Sequence, residues 1–175
     1  PVPNLKVFSP NYSDALRIKL GELMDDMISA GVLARPEDIG VVPEVVSSTL
    51  IVPEGEKGKY RVETDFSMVN RHIKKSPPVG PNIADARQFL AGKNFLICLD
   101  FSDFSFSNGI SATDSQFLGT FHPFRGLYCY VVEPPGLRNA VVHRSQLLFK
   151  IFGDMQQEGR LTMIADKIYL VGDTY

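Results

Sequence analysis

Residues 164–175 read IADKIYLVGDTY, and the interpretation of the whole chain starts from this stretch. A short apolar run leads into a turn that carries Asp166, and a run rich in branched and aromatic side chains follows at 168–171. Two such runs joined by a polar turn are typical of a β-hairpin. The sequence therefore predicts a hairpin that presents Asp166 at its turn, with Lys167 beside it.

A second acidic residue closes another apolar run earlier in the chain. The run FLICLD at 95–100 has the length and composition of a buried strand, and it ends on Asp100. If this strand pairs with the final hairpin, Asp100 and Asp166 meet, and two adjacent carboxylates need a cation such as magnesium. The alternative is purely structural, because an aspartate in a turn often bonds its own backbone.

The composition is that of an ordinary globular domain. The chain has 175 residues, of which 44% are hydrophobic and 22% charged, with a formal net charge of -2. These values favour neither a disordered nor a membrane-spanning protein, and no apolar run approaches the roughly 20 residues that span a bilayer. No signal peptide is visible, so we expect an intracellular protein of the cytoplasm or nucleus. The charge gives no global sign of a nucleic-acid partner, so any such site is expected to be local. Cys98 and Cys129 lie in apolar runs and are predicted to be buried free thiols.

The order of elements predicts an α+β fold, an antiparallel sheet with helices packed on one face. A first helix is capped by Ser13 or Asn11 and ended by Gly31, and a short helix is capped by Asn82 and closed by Gly92. Between them, VVSSTLIVP and KYRVETDF predict a hairpin with a polar tip. Two further strands at SQFLGTF and GLYCYVV, a late helix from residue 140 and the final hairpin complete the order α, ββ, α, β, ββ, α, ββ.

The stretch from Glu54 to Lys75 is locally basic. It holds six basic residues against four acids, and the basic residues are Lys57, Lys59, Arg61, Arg71, Lys74 and Lys75. A run of this kind is either a solvated surface or a phosphate-binding patch, and the sequence leaves both open.

Four motifs, in this order, resemble the fingers and palm of the reverse transcriptases of LTR retrotransposons, over nearly the whole chain. They are GKYRVETDFSMVNRHIKK at 58–75, FLICLDFSDFSF at 95–106, HPFRGLYCYVVEPPGLRNA at 122–140 and MIADKIYLVGDT at 163–174. The resemblance implies a fingers-like part over 1–92 and a palm-like part over 93–175, together one compact unit. Because the chain ends just after the hairpin, it also implies that the thumb and the RNase H domain have no counterpart here.

The resemblance assigns roles to individual residues. Asp100 and Asp166 match the carboxylates that bind the catalytic magnesium ions, and Asp65 and Asn70 match structural support in the fingers. The positions implied for nucleotide binding are Arg61, which would grip the triphosphate, its auxiliaries Lys59 and Lys57, the residues Phe104 and Ser105 near the sugar, and Gly136 in the pocket turn.

Three departures from the family pattern fall on this site. Lys167 stands where the family has a second aspartate, so the local charge changes by two units. At about 4 Å and an effective dielectric of 20, a unit charge pair interacts by roughly 4 kcal/mol before desolvation, enough to weaken magnesium binding strongly. Ile164 replaces the tyrosine of the hairpin, and Pro135 replaces a glutamine and offers no side-chain hydrogen bond.

These departures favour a retroelement-derived, domesticated domain without polymerase activity, a pseudoenzyme that acts as a binding or structural module. In it, Lys167 replaces magnesium as the counter-charge and no cofactor is expected. The first alternative is a divergent active RNA-dependent DNA polymerase fragment that uses Asp100 and Asp166 with magnesium. The second is a recruited protein of unrelated role, an assembly or ligand carrier. In it, a cluster of aromatic residues lines a pocket or interface, although packing in the core is the other use open to them; the cluster is Phe101, Phe104, Phe106, Phe121, Phe124 and Tyr128. Nucleic acid, as RNA or a primer-template, is the expected partner, no membrane is expected, and an uncovered sheet face predicts self-association.

For several polar residues that could be functional, the sequence also supports a structural role. His72, His122 and His143 lack metal-ligand spacing and are predicted to be surface or hydrogen-bonded positions. Asn139 is predicted either to cap the late helix or, with Arg138, to contact phosphate.

Overall fold

The computed structural model of the chain describes residues 11–55, 58–100, 106, 108–164 and 167–172. The helices are α1 (Asp14–Ser29), α2 (Ser67–His72), α3 (Ile83–Leu90), α4 (Ala112–Ser115) and α5 (Ala140–Gln157). The strands are β1 (Leu33–Ala34), β2 (Val46–Ser47), β3 (Thr49–Pro53), β4 (Tyr60–Thr64), β5 (Phe95–Asp100), β6 (Gly119–His122), β7 (Gly126–Tyr130), β8 (Leu161–Ile164) and β9 (Lys167–Gly172). No helix in the described part of the chain combines the length and apolarity needed to cross a membrane.

Contacts within the chain group it into two compact units. Unit 1 consists of Pro1–Ile73 and Gly109–Leu137, and unit 2 consists of Lys74–Asn108 and Arg138–Tyr175. Each unit therefore combines two separate segments of the chain. The implied division into a fingers-like part, 1–92, and a palm-like part, 93–175, concerns function and stays a prediction.

Unit 1 is built on a four-stranded sheet of order β1-β7-β6-β2 and on the two-stranded hairpin β3-β4. Most pairings are antiparallel, but β2 runs parallel to β6, with Val46 opposite Gly119. Helix α1 begins where the side chain of Ser13 accepts a hydrogen bond from the Leu16 amide, as predicted. Leu20 and Met24 on its inner face are buried, which fixes the helix to the unit.

The interior of unit 1 contains satisfied polar groups as well as apolar ones. The Tyr130 ring is buried and meets the Phe66 ring edge-on, at 5.6 Å between centroids. Its hydroxyl lies 2.8 Å from the Thr64 hydroxyl, and burial raises the pKa of Tyr130 to about 12. Neutral Tyr130 thus joins β7 to β4 at any physiological pH.

Unit 2 contains an antiparallel sheet of order β5-β9-β8. Leu161 and Met163 of β8 form a buried core with Ile168 of β9 and Leu148 of α5. Helix α3 also packs on β8, and it begins with the predicted Asn82 cap, in a capping box with Asp85. The predicted final hairpin is therefore present as β8 and β9, and its turn at 165–166 lies outside the described residues.

Two predictions for the strand FLICLD have different outcomes. The strand exists as β5, but the prediction that it is buried is wrong, because all six of its residues are exposed. Cys98 in this strand is therefore exposed, whereas Cys129 is buried as predicted, and both thiols are free. The apolar composition of β5 does not reveal that it is an edge strand.

Candidate functional site

The two strands that carry the candidate acidic site lie side by side in unit 2. β5 pairs with β9 in antiparallel register, and this register places Asp100 directly opposite Lys167. The Lys167 ammonium donates a hydrogen bond to Oδ2 of Asp100. The predicted approach of the first aspartate to the final hairpin is therefore present, and the described group that meets Asp100 is a cation.

The Asp100–Lys167 pair lies on the face of the sheet that is turned away from the core. Ile168 is in the core with Leu148, and successive side chains of a strand point to opposite faces. Lys167 and its register partner Asp100 therefore project from the other face. The two side chains are 49% and 41% exposed for Asp100 and Lys167, so water reaches the pair from this side.

This geometry does not fit a magnesium site. The Asp100 carboxylate is already bonded to an ammonium group, which repels a divalent cation and takes one of the oxygens that it needs. In the described ranges, no three His, Cys, Asp or Glu side chains are grouped so that they could hold a metal ion. Asp166, the second predicted ligand, lies outside the described residues, and its role stays a prediction.

Arg61, the predicted triphosphate-gripping residue, lies on β4 of unit 1 and is bound by carboxylates of its own hairpin. Its Nε and Nη2 donate to Oε1 of Glu63 at 2.9 and 2.5 Å, and Nη1 is 3.9 Å from Oε1 of Glu54. The hydrogen bond with Glu63 raises the pKa of Arg61, so the guanidinium is always charged. A phosphate would have to compete with Glu63 for this donor fork.

Two other predicted positions are joined by a hydrogen bond in unit 1. The Asn70 side chain donates to the carbonyl of Gly136 at 2.9 Å. Gly136 has a φ of +85°, a left-handed conformation that a side chain would strain, and Pro135 beside it is exposed. Asn70 thus holds the turn that the resemblance assigns to the nucleotide pocket. Sequence reasoning named both residues but did not connect them.

The structure describes two further residues to which the resemblance gives a role, Lys59 in nucleotide binding and Asp65 in structural support. Lys59 lies in the turn before β4, where its carbonyl accepts a hydrogen bond from the Glu54 amide at 2.9 Å. A hydrogen bond from the Ser67 side chain, together with that from the Ser67 amide to Oδ1 at 2.9 Å, lowers the pKa of Asp65. The amide bond also supports the start of α2. Lys57, Phe104 and Ser105 lie outside the described residues.

His122 is a satisfied structural residue, as predicted. It is 1% exposed, and its Nδ1 accepts hydrogen bonds from the amides of Phe124 and Arg125 at 3.1 and 3.2 Å. Nε2 therefore carries the proton, and it lies 3.2 Å from both the Gly21 carbonyl and Oδ1 of Asp25. Arg125 also binds Asp25, so this cluster fixes α1 to the β6–β7 turn. Sequence reasoning missed the partners because about a hundred residues separate them.

Asn139 has a different role from the one predicted. It occupies the N-cap position of α5, but its side chain makes no capping hydrogen bond. Instead, Oδ1 accepts from the Ser76 amide at 3.1 Å and Nδ2 donates to the Lys74 carbonyl at 2.9 Å. The side chain is buried and holds the segment at 74–76 within unit 2.

The aromatic residues that could line a pocket or interface are divided between core and surface. Tyr128 is buried in unit 1, whereas Phe121 and Phe124 are 48% and 58% exposed. The guanidinium carbon of Arg17 lies 5.2 Å from the centre of the Phe124 ring. Phe101 and Phe104 lie outside the described residues, so the aromatic pocket stays a prediction.

Comparison with solved structures shows which known fold this chain has. The foamy viral protease-reverse transcriptase in complex with an RNA/DNA hybrid matches with a TM-score of 0.77 and 14% sequence identity. The native prototype foamy virus protease-reverse transcriptase matches with a TM-score of 0.76 and 16% identity. In both cases the match covers 95% of this chain and 21% of the other chain. The chain therefore has a reverse-transcriptase-like fold and spans about a fifth of the length of these proteins.

Comparison by sequence gives no further assignment. No family model matches the chain, and no curated protein matches it. At 14–16% identity, the structural likeness concerns the fold and not the activity.

Proposed function

We propose that this chain is a retroelement-derived, reverse-transcriptase-like domain that lacks polymerase activity and acts as a binding or structural module. The observation that carries the proposal is the hydrogen bond from the Lys167 ammonium to Asp100. In this proposal Lys167 supplies the positive charge that magnesium supplies to the carboxylates of a working polymerase.

The contact between Lys167 and Asp100 bears on activity because nucleotide transfer requires metal ions. In-line attack at a phosphate is stabilised by two metal ions, which neutralise the attacking and leaving oxygens. An ammonium group can balance a carboxylate, but it has no open coordination position for a phosphate oxygen. In this proposal Lys167 neutralises the charge of Asp100, so the fold needs no metal ion there. The metal-dependent step of nucleotide transfer is lost.

Two features of unit 1 support the same conclusion. Arg61, the residue assigned to the triphosphate, already donates hydrogen bonds to Glu63, so a phosphate would have to displace that carboxylate. Pro135 stands at the position of the glutamine in the pocket turn and has no side-chain donor or acceptor. Each substitution or contact weakens a different part of nucleotide binding.

Nucleic acid is the proposed partner of the binding module. One structural neighbour was solved in complex with an RNA/DNA hybrid. The exposed side chains of Lys74 and Lys75 offer phosphate contacts in this chain, although its net charge is -2. The proposal is therefore weak binding through a local basic surface.

Primer extension tests the loss of activity. Wild-type chain is incubated with a primer-template and deoxynucleotides in magnesium or manganese, beside the variants Asp100→Ala and Lys167→Asp. We expect wild type to extend no more primer than Asp100→Ala does. Extension by wild type above that control would instead establish the active polymerase fragment. If wild type neither extends nor binds primer-template, the recruited protein of unrelated role replaces the binding module.

A further inference from the structure

The side chain of Asn139 binds the backbone on both sides of Lys75 in unit 2. Its Oδ1 accepts a hydrogen bond from the Ser76 amide at 3.1 Å, and its Nδ2 donates to the Lys74 carbonyl at 2.9 Å. A residue of a neighbouring parallel strand brackets one residue of its partner by the same two bonds. These two hydrogen bonds, which we call the Asn139 clamp, therefore hold the peptide groups before and after Lys75.

Burial and two prolines restrict the same segment further. Asn139 is only 7% exposed, so water competes poorly for the bonds of the clamp. Pro77 disfavours a helical conformation for the residue before it, and the rings of Pro77 and Pro78 fix their own φ angles. Residues 74–78 belong to no helix or strand. Their conformation is therefore set by the clamp and the prolines.

Asn139 acts on any ligand through other residues. Its side chain is buried, and both its oxygen and its nitrogen are bonded to backbone. Lys74 and Lys75, in contrast, are exposed. Successive side chains of an extended segment project to opposite sides, so the two lysines offer two separate positive charges to solvent.

We propose that Asn139 is a positioning residue for nucleic-acid binding, because the clamp presents Lys74 and Lys75 as preorganised phosphate contacts. This inference rests on the proposed binding of nucleic acid by the local basic surface. A flexible basic segment loses conformational entropy when it binds, and this loss lowers its affinity. With the clamp in place, the segment is already ordered when the ligand arrives.

A positioning residue and a contact residue differ in their effect on salt dependence. The slope of log affinity against log salt concentration counts the phosphates that the protein neutralises. Without the Asn139 side chain both ammonium groups still reach phosphate, so the affinity should fall while the slope stays unchanged. Without the Lys75 ammonium one contact is lost, so the slope itself should fall.

Fluorescence anisotropy with a labelled primer-template between about 50 and 200 mM salt tests this difference. We expect Asn139→Ala to bind at least about fivefold more weakly than wild type, with the same salt slope. Asn82→Ala is the matched control and should bind like wild type, because Asn82 also accepts a backbone amide in unit 2 but caps α3. If Asn139→Ala misfolds, Asn139→Ser replaces it, since serine suits the N-cap position of α5 and is too short for both bonds.

A double-mutant cycle separates positioning from a general structural role. In a Lys75→Gln background, Asn139→Ala should weaken binding by about twofold or less, because the main residue through which it acts is absent. An equal loss in both backgrounds would overturn the proposal. Wild-type affinity in Asn139→Ala, or a lower salt slope in that variant, would overturn it as well.

Limited digestion with trypsin tests the clamp without nucleic acid. Proteases cleave segments that open locally, so Asn139→Ala should be cut after Lys75 at least about threefold faster than wild type or Asn82→Ala. If wild type binds but Asn139→Ala leaves cleavage unchanged, this inference alone is overturned. If wild type binds no primer-template, the proposed nucleic-acid partner is overturned and the positioning role falls with it.

Discussion

At the scale of single residues, Lys167 alters the chemistry of Asp100 without altering the strand that carries it. Because the two residues are opposite each other in β5 and β9, the lysine side chain places a cation within hydrogen-bonding distance of the carboxylate. The pair is nearly half exposed, so it contributes only about 0–1 kcal/mol to the free energy of unfolding. Its effect is on the local charge and not on stability.

Replacing this lysine by an acid should restore cation binding. We predict that magnesium or manganese raises the melting temperature of Lys167→Asp, because two carboxylates then face each other and need a cation. A metal concentration 100-fold above the dissociation constant stabilises a protein by about 2.7 kcal/mol. Differential scanning fluorimetry measures the shift. Lys167→Ala is the control, since it removes the ammonium without adding an acid, and an equal shift in this variant would contradict the prediction.

The two cysteines should differ in reactivity. Cys98 is exposed in β5, whereas Cys129 is 0% exposed and burial raises its pKa to about 11. Because the thiolate is the reactive form, Cys129 stays protonated and inert at pH 8. Mass spectrometry after maleimide treatment of dilute native protein should find one label, at Cys98, and two labels in denaturant. Equal labelling of both residues in native protein would show that the described packing of β7 is wrong.

At the scale of elements, the helix caps and turns predicted from the sequence match the structure more closely than the predicted burial does. Ser13 and Asn82 begin α1 and α3 as predicted, because a cap is set by residues three positions apart. The exposure of β5 differs from the prediction, because neighbouring strands and helices decide it. The apolar run predicts that a strand forms. Whether that strand lies at the edge of the sheet is decided by the other segments that pair with it or pack on it.

The parallel contact between β2 and β6 depends on Gly119. A Cβ added at this position would lie 2.6 Å from the Val45 carbonyl oxygen, which is backbone and cannot rotate away. We predict that Gly119→Ala lowers the free energy of unfolding by about 1–3 kcal/mol, the usual cost of overpacking. Urea denaturation measures the loss. Gly109→Ala is the matched control, because a Cβ there meets nothing within 4 Å, and it should change stability far less.

At the scale of the whole molecule, each of the two units is assembled from separate segments. The segment Gly109–Leu137 belongs with the first 73 residues, and the late helix and hairpin belong with Lys74–Asn108. The chain order of the four motifs is nevertheless kept, and it led to the reverse-transcriptase-like fold that the structural neighbours share.

Binding of primer-template should depend steeply on salt. With a net charge of -2 the chain has no general attraction to nucleic acid, so binding must come from a few local phosphate contacts. Three contacts predict a fall in affinity of roughly 40-fold between 50 and 200 mM salt. Fluorescence anisotropy measures the slope, and Lys75→Gln should reduce it by about one contact. Lys19→Gln is the control, because Lys19 pairs with Glu22 on α1, and a flat response in wild type would remove nucleic acid from the proposed function.

The sequence by itself determined the elements, their caps and the linear order of motifs, because these depend on residues within a few positions of each other. Its resemblance to a family also predicted that Lys167 and Pro135 are substitutions at a site. Only the tertiary structure decided that Lys167 meets Asp100, that Glu63 holds Arg61, and that Asn70 supports Gly136. The first and last of these contacts join residues more than sixty positions apart. Strand register and hydrogen-bond geometry in the folded chain select them, and local patterns carry no information about either.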